Sequence, residues 1–188
     1  MANEIEKILK ILIENQEEKF SIRKLSILRK INYKSAHNAI IKLEKEGIIK
    51  PEKFGNAINC SFNKKFNPLV FKVEHERREK LLKNKDFKIL YSKLNKLKFP
   101  FIALLFGSRV KKYNRHSDID LLILGEGGME IEQTISLMPL KIHLTNISPR
   151  EFLNMAKSKE FSVVSEAIKK NIILIGIEDY YRLLEDAR

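Results

Sequence analysis

The sequence predicts an α/β (α+β) chain of 188 residues in which helices and a hairpin come first and strands mixed with helices follow. Three observations predict it. Apolar residues recur at helical spacing over residues 4–15, 22–31 and 36–43, then give way to two short runs around Gly55-Asn56. Asn67-Pro68 punctuates the chain after the second run. Beyond residue 100, the apolar run 101–106 and the run that follows Asp118 and Asp120 are short and bounded by turn residues, as buried strands are.

The first helix places Ile5, Ile8, Leu9, Ile11, Leu12 and Ile13 among Glu and Lys. Ser21 is placed to cap a second helix with Ile22, Leu25, Leu28 and Ile31 turned inward. Asn32 is placed to cap a third, which runs to about Glu46 and ends at Gly47, a usual residue just past a helix. Ala36, Ala39, Ile40 and Leu43 form its inner stripe, with Tyr33, Lys34, His37, Asn38 and Lys42 mostly opposite. Residues 48–53 and 57–62 then read as a hairpin around Phe54-Gly55-Asn56. Three helices leading into a hairpin resemble a winged helix-turn-helix domain, and the run from Asn32 to Ile49 is similar to that family's recognition helix and wing. The resemblance covers residues 1–65. It implies a helix that enters a DNA groove, with Tyr33, Lys34, His37, Asn38 and Lys42 reaching bases or phosphates and Lys53 and Asn56 near the wing tip. The alternative use of such a wing is protein contact, including a homodimer.

Residues 66–98 read as a basic helical connector, one or two amphipathic helices broken near residues 84–86. The charge is one-sided. Residues 1–100 hold 24 Lys/Arg against 12 Asp/Glu, whereas residues 101–188 hold 12 of each, so the whole net charge of +12 precedes residue 101. That asymmetry points to a polyanion partner, nucleic acid ahead of an anionic surface. For the lysines of the connector the two readings are an extended nucleic-acid surface and a solvated helix face. No apolar run approaches the ~18 residues of a membrane span, and the first helix lacks the pattern of a signal peptide. Cys60 is the single cysteine, which excludes an internal disulfide and a multi-cysteine zinc site and fits a cytoplasmic location.

The third segment, residues 99–188, carries the chemistry. Phe106-Gly107-Ser108 leaves one apolar strand, and Ser117-Asp118-Ile119-Asp120-Leu121 enters the next. Gly107 lets backbone N–H groups approach a phosphate, and Ser108 adds a hydroxyl at the start of a following helix. Arg109, Lys111, Lys112 and Arg115 bring positive charge nearby. On a strand, Asp118 and Asp120 point to one face while Ile119, Leu121 and Ile123 point to the other. Two carboxylates so placed repel each other unless a cation lies between them, and Mg²⁺ prefers hard oxygen ligands with room left for phosphates.

The two motifs together resemble the nucleotidyltransferase fold of the DNA polymerase β superfamily, most closely its minimal prokaryotic branch, over about residues 86–150. Joined to the N-terminal part, the chain is similar to archaeal proteins that fuse a winged helix to such a domain, and its residues 171–181 resemble their C-termini. The resemblance implies a small mixed sheet flanked by helices. It implies that Gly107, Ser108 and Lys111 hold a nucleoside triphosphate (NTP) and that Asp118 and Asp120 bind Mg²⁺ or Mn²⁺ as the catalytic pair. Two positions depart from the family's pattern. Val110-Lys111-Lys112 stands where a small residue and a basic-Gly pair are usual. On the strand expected over residues 140–145, His143 holds the place of a third carboxylate, as a doubtful third metal ligand; Glu130 and Glu132 are the alternative carboxylates.

After Pro149, residues 150–157 and 163–170 read as helices, 171–176 as an apolar strand and 178–185 as a closing helix. Tyr180 and Tyr181 are either base-stacking or core residues. Two functional readings follow. One is a Mg²⁺-dependent transferase that moves NMP from an NTP to an acceptor hydroxyl and binds DNA through its winged helix. The other is a DNA-binding regulator whose catalytically impaired transferase domain binds nucleotide without turnover; by family analogy it is antitoxin-like, with a toxin-like protein as its partner.

Overall fold

The computed structural model describes residues 2–55, 57–107, 118–158 and 160–187, and its contacts divide the chain into two units, Met1–Val73 and Glu74–Arg188. Among the described residues there are nine helices and two sheets, a mixed α/β architecture.

The first unit contains α1 (Ala2–Glu14), β1 (Phe20–Ser21), α2 (Ile22–Arg29), α3 (Tyr33–Lys45), β2 (Ile49–Phe54) and β3 (Ala57–Phe62). The side chains at the helix starts fix its turns. Ser21 Oγ accepts from Lys24 N at 3.1 Å, and Asn32 Oδ1 accepts from Ser35 N at 2.8 Å, so each satisfies a backbone N–H the helix cannot. Between α2 and α3 the chain turns through Lys30 in the left-handed region, φ 52°. The core is the expected stripe, with Ile8, Leu9, Leu12, Leu25, Ala36, Ile40, Leu43 and Ile48 all buried. The three strands run antiparallel in the order β1-β3-β2, with Cys60 of β3 between Phe20 and Pro51. One expectation fails. Leu28 was placed inward, yet it is 50% exposed. The buried arc of α2 is centred on Ile22, Leu25 and Ser26, and at ~100° per residue Leu28 lies about 60° beyond Leu25, off the edge of that arc.

α4 (Pro68–Leu81) spans the division between the units. The second unit continues with α5 (Lys85–Leu94), β4 (Phe101–Phe106), β5 (Ile119–Gly125), α6 (Gly128–Ser136), β6 (Ile142–Ile147), α7 (Pro149–Ser158), α8 (Val163–Lys169), β7 (Asn171–Ile175) and α9 (Ile177–Asp186). The sheet order is β6-β5-β4-β7, with β5 and β6 parallel and the other pairs antiparallel. Helices cover both faces. Phe87, Leu90 and Leu94 of α5 and Ile131 and Ile135 of α6 share one core with Ala103, Leu105, Ile119, Leu121 and Ile123. α7 packs on β5, and α8 and α9 pack on β4. Tyr180 and Tyr181 are fully buried, so packing, not base stacking, occupies them.

The cluster Gly125-Glu126-Gly127-Gly128 has the composition of a loop after a strand, yet α6 begins within it. Gly127, at φ 81°, caps the helix that Gly128 begins. Nine residues with only Ile131 and Ile135 in their inner stripe give too little periodicity to stand out.

Candidate functional site

The sheet register brings the site together. In one row across the four strands, His143 of β6 is opposite Asp120 of β5, Asp120 is opposite Phe106 of β4, and Phe106 is opposite Asn171 of β7. Directly opposed residues share a face, so Asp120 and His143 project to the same side. Asp118 immediately precedes β5, two residues before Asp120, and is exposed. The intervening Ile119 is fully buried in the opposite core. Within β5, Asp120 therefore alternates with the buried Ile119 and Leu121.

Gly107 follows Phe106 at φ 76°, in the left-handed region that glycine enters without a Cβ penalty. A Cβ built there would fall well inside contact distance of Asp120 Oδ2. The glycine therefore serves two ends: it turns the chain out of β4, and it leaves room for the Asp120 carboxylate beside the backbone. His143 Nδ1 lies 3.6 Å from Asp120 Oδ1. That is an electrostatic approach rather than a hydrogen bond. The imidazole is 70% exposed and the carboxylate 28% exposed, so Asp120 is held by the fold while His143 stands in solvent. Ser108 and Lys111, the other expected nucleotide contacts, lie outside the described residues.

Behind Phe106, β7 is anchored by a buried polar network. Arg77 Nη1 donates to Glu74 Oε2 at 2.5 Å, and Arg77 Nη2 donates to the Asn171 carbonyl at 2.7 Å. Asn171 Nδ2 donates to Tyr180 Oη and to the Ala167 carbonyl, at 2.9 and 2.6 Å. Tyr181 Oη donates to Glu74 Oε1 at 2.5 Å. Burial, reinforced by the Glu74 charge, pushes both tyrosine hydroxyls well up, so both remain protonated, Tyr181 as a donor to Glu74 and Tyr180 as an acceptor from Asn171. No signal short of the fold reveals this network, because Glu74 and Arg77 read as two more charges on a charged helix.

The residues present fit a divalent ion held by few protein ligands. The carboxylate of Asp120 on the sheet face and that of the exposed Asp118 just before β5 are hard oxygen donors of the kind Mg²⁺ takes together with phosphates and water. They do not make a full cage: among the described residues no group of three or more His, Cys, Asp or Glu is placed to hold a metal. His143 stands in register beside Asp120, but an imidazole suits softer ions. Glu130 and Glu132 are exposed on α6, whose inner side joins the core on the face opposite Asp120. They therefore do not supply a third carboxylate.

In the first unit the residues read as a DNA surface divide over two sides of α3. Lys34, Asn38 and Lys42 follow one another at four-residue spacing, and Asn38 and Lys42 line a hollow of about 170 Å³ with Glu4 and Ser35. Tyr33 and His37 stack with ring centroids 6.1 Å apart. His37 and Lys53 line a second hollow, of about 290 Å³, with Ile22, Glu44 and Pro51. Asn56 lies outside the described residues. No helix among the described residues is long and apolar enough to cross a membrane.

No curated protein and no solved structure matches the chain. Residues 88–179 match the family model described as Polymerase beta, Nucleotidyltransferase, a segment that runs from within α5 to the first turn of α9 and takes in Gly107, Asp118, Asp120 and His143.

Proposed function

We propose that the second unit transfers a nucleoside monophosphate from an NTP to an acceptor hydroxyl, using Asp118 and Asp120. One observation carries the reading: the side-chain-free Gly107 lies against Asp120 in the sheet row, within the segment that matches a nucleotidyltransferase family. In the reaction the acceptor oxygen bonds to the α-phosphorus, the bond from that phosphorus to the bridging oxygen breaks, and pyrophosphate leaves. The acceptor's proton passes to solvent or to a carboxylate of the pair. Gly107, with Ser108 and Lys111, holds the phosphate chain by backbone N–H groups, hydroxyl and ammonium. Asp118 and Asp120 are the residues that would hold Mg²⁺ or Mn²⁺, which supplies charge neutralisation for the phosphates and the leaving group.

The first unit, in this reading, is a winged helix that presents α3 to DNA. Support comes from its capped three-helix arrangement and three-stranded sheet, and from the exposed Tyr33, Lys34, Asn38, Lys42 and Lys53. A second reading is favoured by His143 in place of a carboxylate: a DNA-binding regulator whose second unit binds an NTP and turns it over weakly or not at all.

Incubation with α-labelled NTPs, Mg²⁺ or Mn²⁺, and protein and RNA acceptors tests the first reading. Transfer that vanishes in Asp118→Ala/Asp120→Ala supports it. NTP binding in a wild type that transfers nothing under either metal would sink it and leave the regulator.

A further inference from the structure

Between the end of α4 and α5 lies a groove of about 870 Å³ lined by Glu79, Leu82, Lys83, Lys85, Lys88, Tyr91, Ser92, Asn95 and Lys96. All of these belong to the second unit. From the row described above, α5 packs on the face of the sheet opposite Asp120, so the groove is not part of the transferase site.

The groove's chemistry is one-sided. Lys83, Lys85, Lys88 and Lys96 are all exposed, and none makes an ion pair with another described residue. Glu79 is the one acidic liner, and it already faces side chains outside the lysine set, with Arg78 Nε at 4.0 Å and His75 Nε2 at 3.9 Å. Four uncompensated ammonium groups around one concavity raise the local anion concentration and oppose one another until an anion enters. Their order is regular. Lys85, Lys88, Ser92 and the C-cap Asn95 recur at three- and four-residue steps, which places them along one face of α5, and Lys96 follows just past its end. At ~1.5 Å per residue the line from Lys85 to Asn95 is about 15 Å long. Such a line matches a chain of phosphates better than a single phosphate.

The neutral liners distinguish a nucleic acid from a bare polyanion. Tyr91 gives the groove an aromatic wall, and Arg78 lies over its ring with the guanidinium carbon 5.1 Å from the centroid. Ser92 and Asn95 offer hydroxyl and amide groups, donors and acceptors, between the lysines. Basic residues interleaved with an aromatic and with amide groups are the make-up of a single-strand site, where phosphates track lysines and bases meet the aromatic wall.

We propose that the α4–α5 groove is a binding surface for single-stranded nucleic acid, separate from both the α3 surface and the Asp118–Asp120 site. It is independent of whether the second unit turns NTP over. Full-length protein titrated into a fluorescein-labelled 20-nucleotide single strand, across a salt series, tests it. The triple variant Lys85→Glu/Lys88→Glu/Lys96→Glu is expected to bind at least tenfold more weakly at 150 mM salt. Its log-affinity against log-salt slope is expected to be shallower by about 2, at ~0.7 per lost phosphate contact. The charge-matched variant Lys141→Glu/Lys157→Glu/Lys170→Glu and the variant Asp118→Ala/Asp120→Ala should bind as the wild type does. Equal losses in the two triple variants would overturn the proposal, since they report net charge alone. So would an unchanged affinity in the groove variant, a loss confined to duplex, or equal competition by anionic vesicles. Thermal unfolding of each variant checks that the substitutions have left the fold intact.

Discussion

Asp120 and His143 face each other across the parallel pair β5–β6, with carboxylate and imidazole 3.6 Å apart on the same side of the sheet. The register puts residue 143 where a further carboxylate would join Asp118 and Asp120. His143→Asp is therefore expected to tighten Mg²⁺ binding on the order of tenfold, because ligand charge count sets affinity at hard-cation sites. The same change should lower the melting temperature without metal, through repulsion of like charges, and Mg²⁺ should restore it. Calorimetric titration of Mg²⁺ with a non-hydrolysable NTP present gives the affinity. An equal or weaker affinity would show that residue 143 is outside the metal's reach.

Gly107 permits a test that separates backbone strain from crowding. Gly107→Ala adds a Cβ both at φ 76° and against Asp120 Oδ2, whereas Gly55→Ala adds one at φ 57° with no atom within 4 Å. Each should lose about 1–2 kcal/mol to the left-handed backbone. Only Gly107→Ala should also weaken nucleotide binding, at least tenfold, because Asp120 must move. Binding of a fluorescent NTP analogue by both variants decides it; equal binding would mean the close approach has no functional weight.

Legibility in the sequence followed the length scale of each signal. Ser21, Asn32 and Gly47 announced their helix ends because capping is settled within four residues. The facing of Asp120, opposite to the buried Ile119 and Leu121, is equally local, as a strand alternates every residue. His143 could be named as the residue beside Asp120, although its strand runs 142–147 rather than 140–145, because the resemblance supplied the register. What stayed hidden was non-local. Leu28 has the residue type and near spacing of a core position, and only the packing of α2 turns it outward. Glu74 and Arg77 look like surface charges until β7 and α9 close over them.

That closure predicts a large cost for breaking the Glu74–Arg77 pair. Both side chains are at most 5% exposed, and Arg77 also holds the Asn171 carbonyl, which stands one strand from Phe106. Arg77→Met leaves Glu74 buried without its cation and is expected to cost about 3–5 kcal/mol. Glu74→Leu/Arg77→Met removes both charges and should lose less than Arg77→Met alone. The chain has no tryptophan, and four of its five tyrosines, Tyr180 and Tyr181 among them, belong to this unit, so tyrosine fluorescence mainly follows its unfolding in urea. A double variant less stable than Arg77→Met would mean that the network is worth more than the burial it costs.

Cys60 offers a pH test in the other unit. Its thiol is buried between Phe20 and Pro51 in the sheet, and burial, with Glu44 second, pushes its pKa up to about 11. At pH 8 the native protein should therefore resist a thiol reagent that modifies Cys60 fully in denaturant. The stability effect has a definite sign. The unfolded thiol ionises near 9.0, before the folded one, so this contribution is intact below pH 9 and is lost as the pH rises towards 11. Tyr180 and Tyr181 add a loss of the same sign at higher pH, since burial raises them too. Comparing wild type with Cys60→Ala between pH 9 and 10 isolates the thiol: the wild type should lose stability faster with pH, although it starts from a higher value. Parallel pH profiles would mean that the folded thiol ionises as freely as the unfolded one.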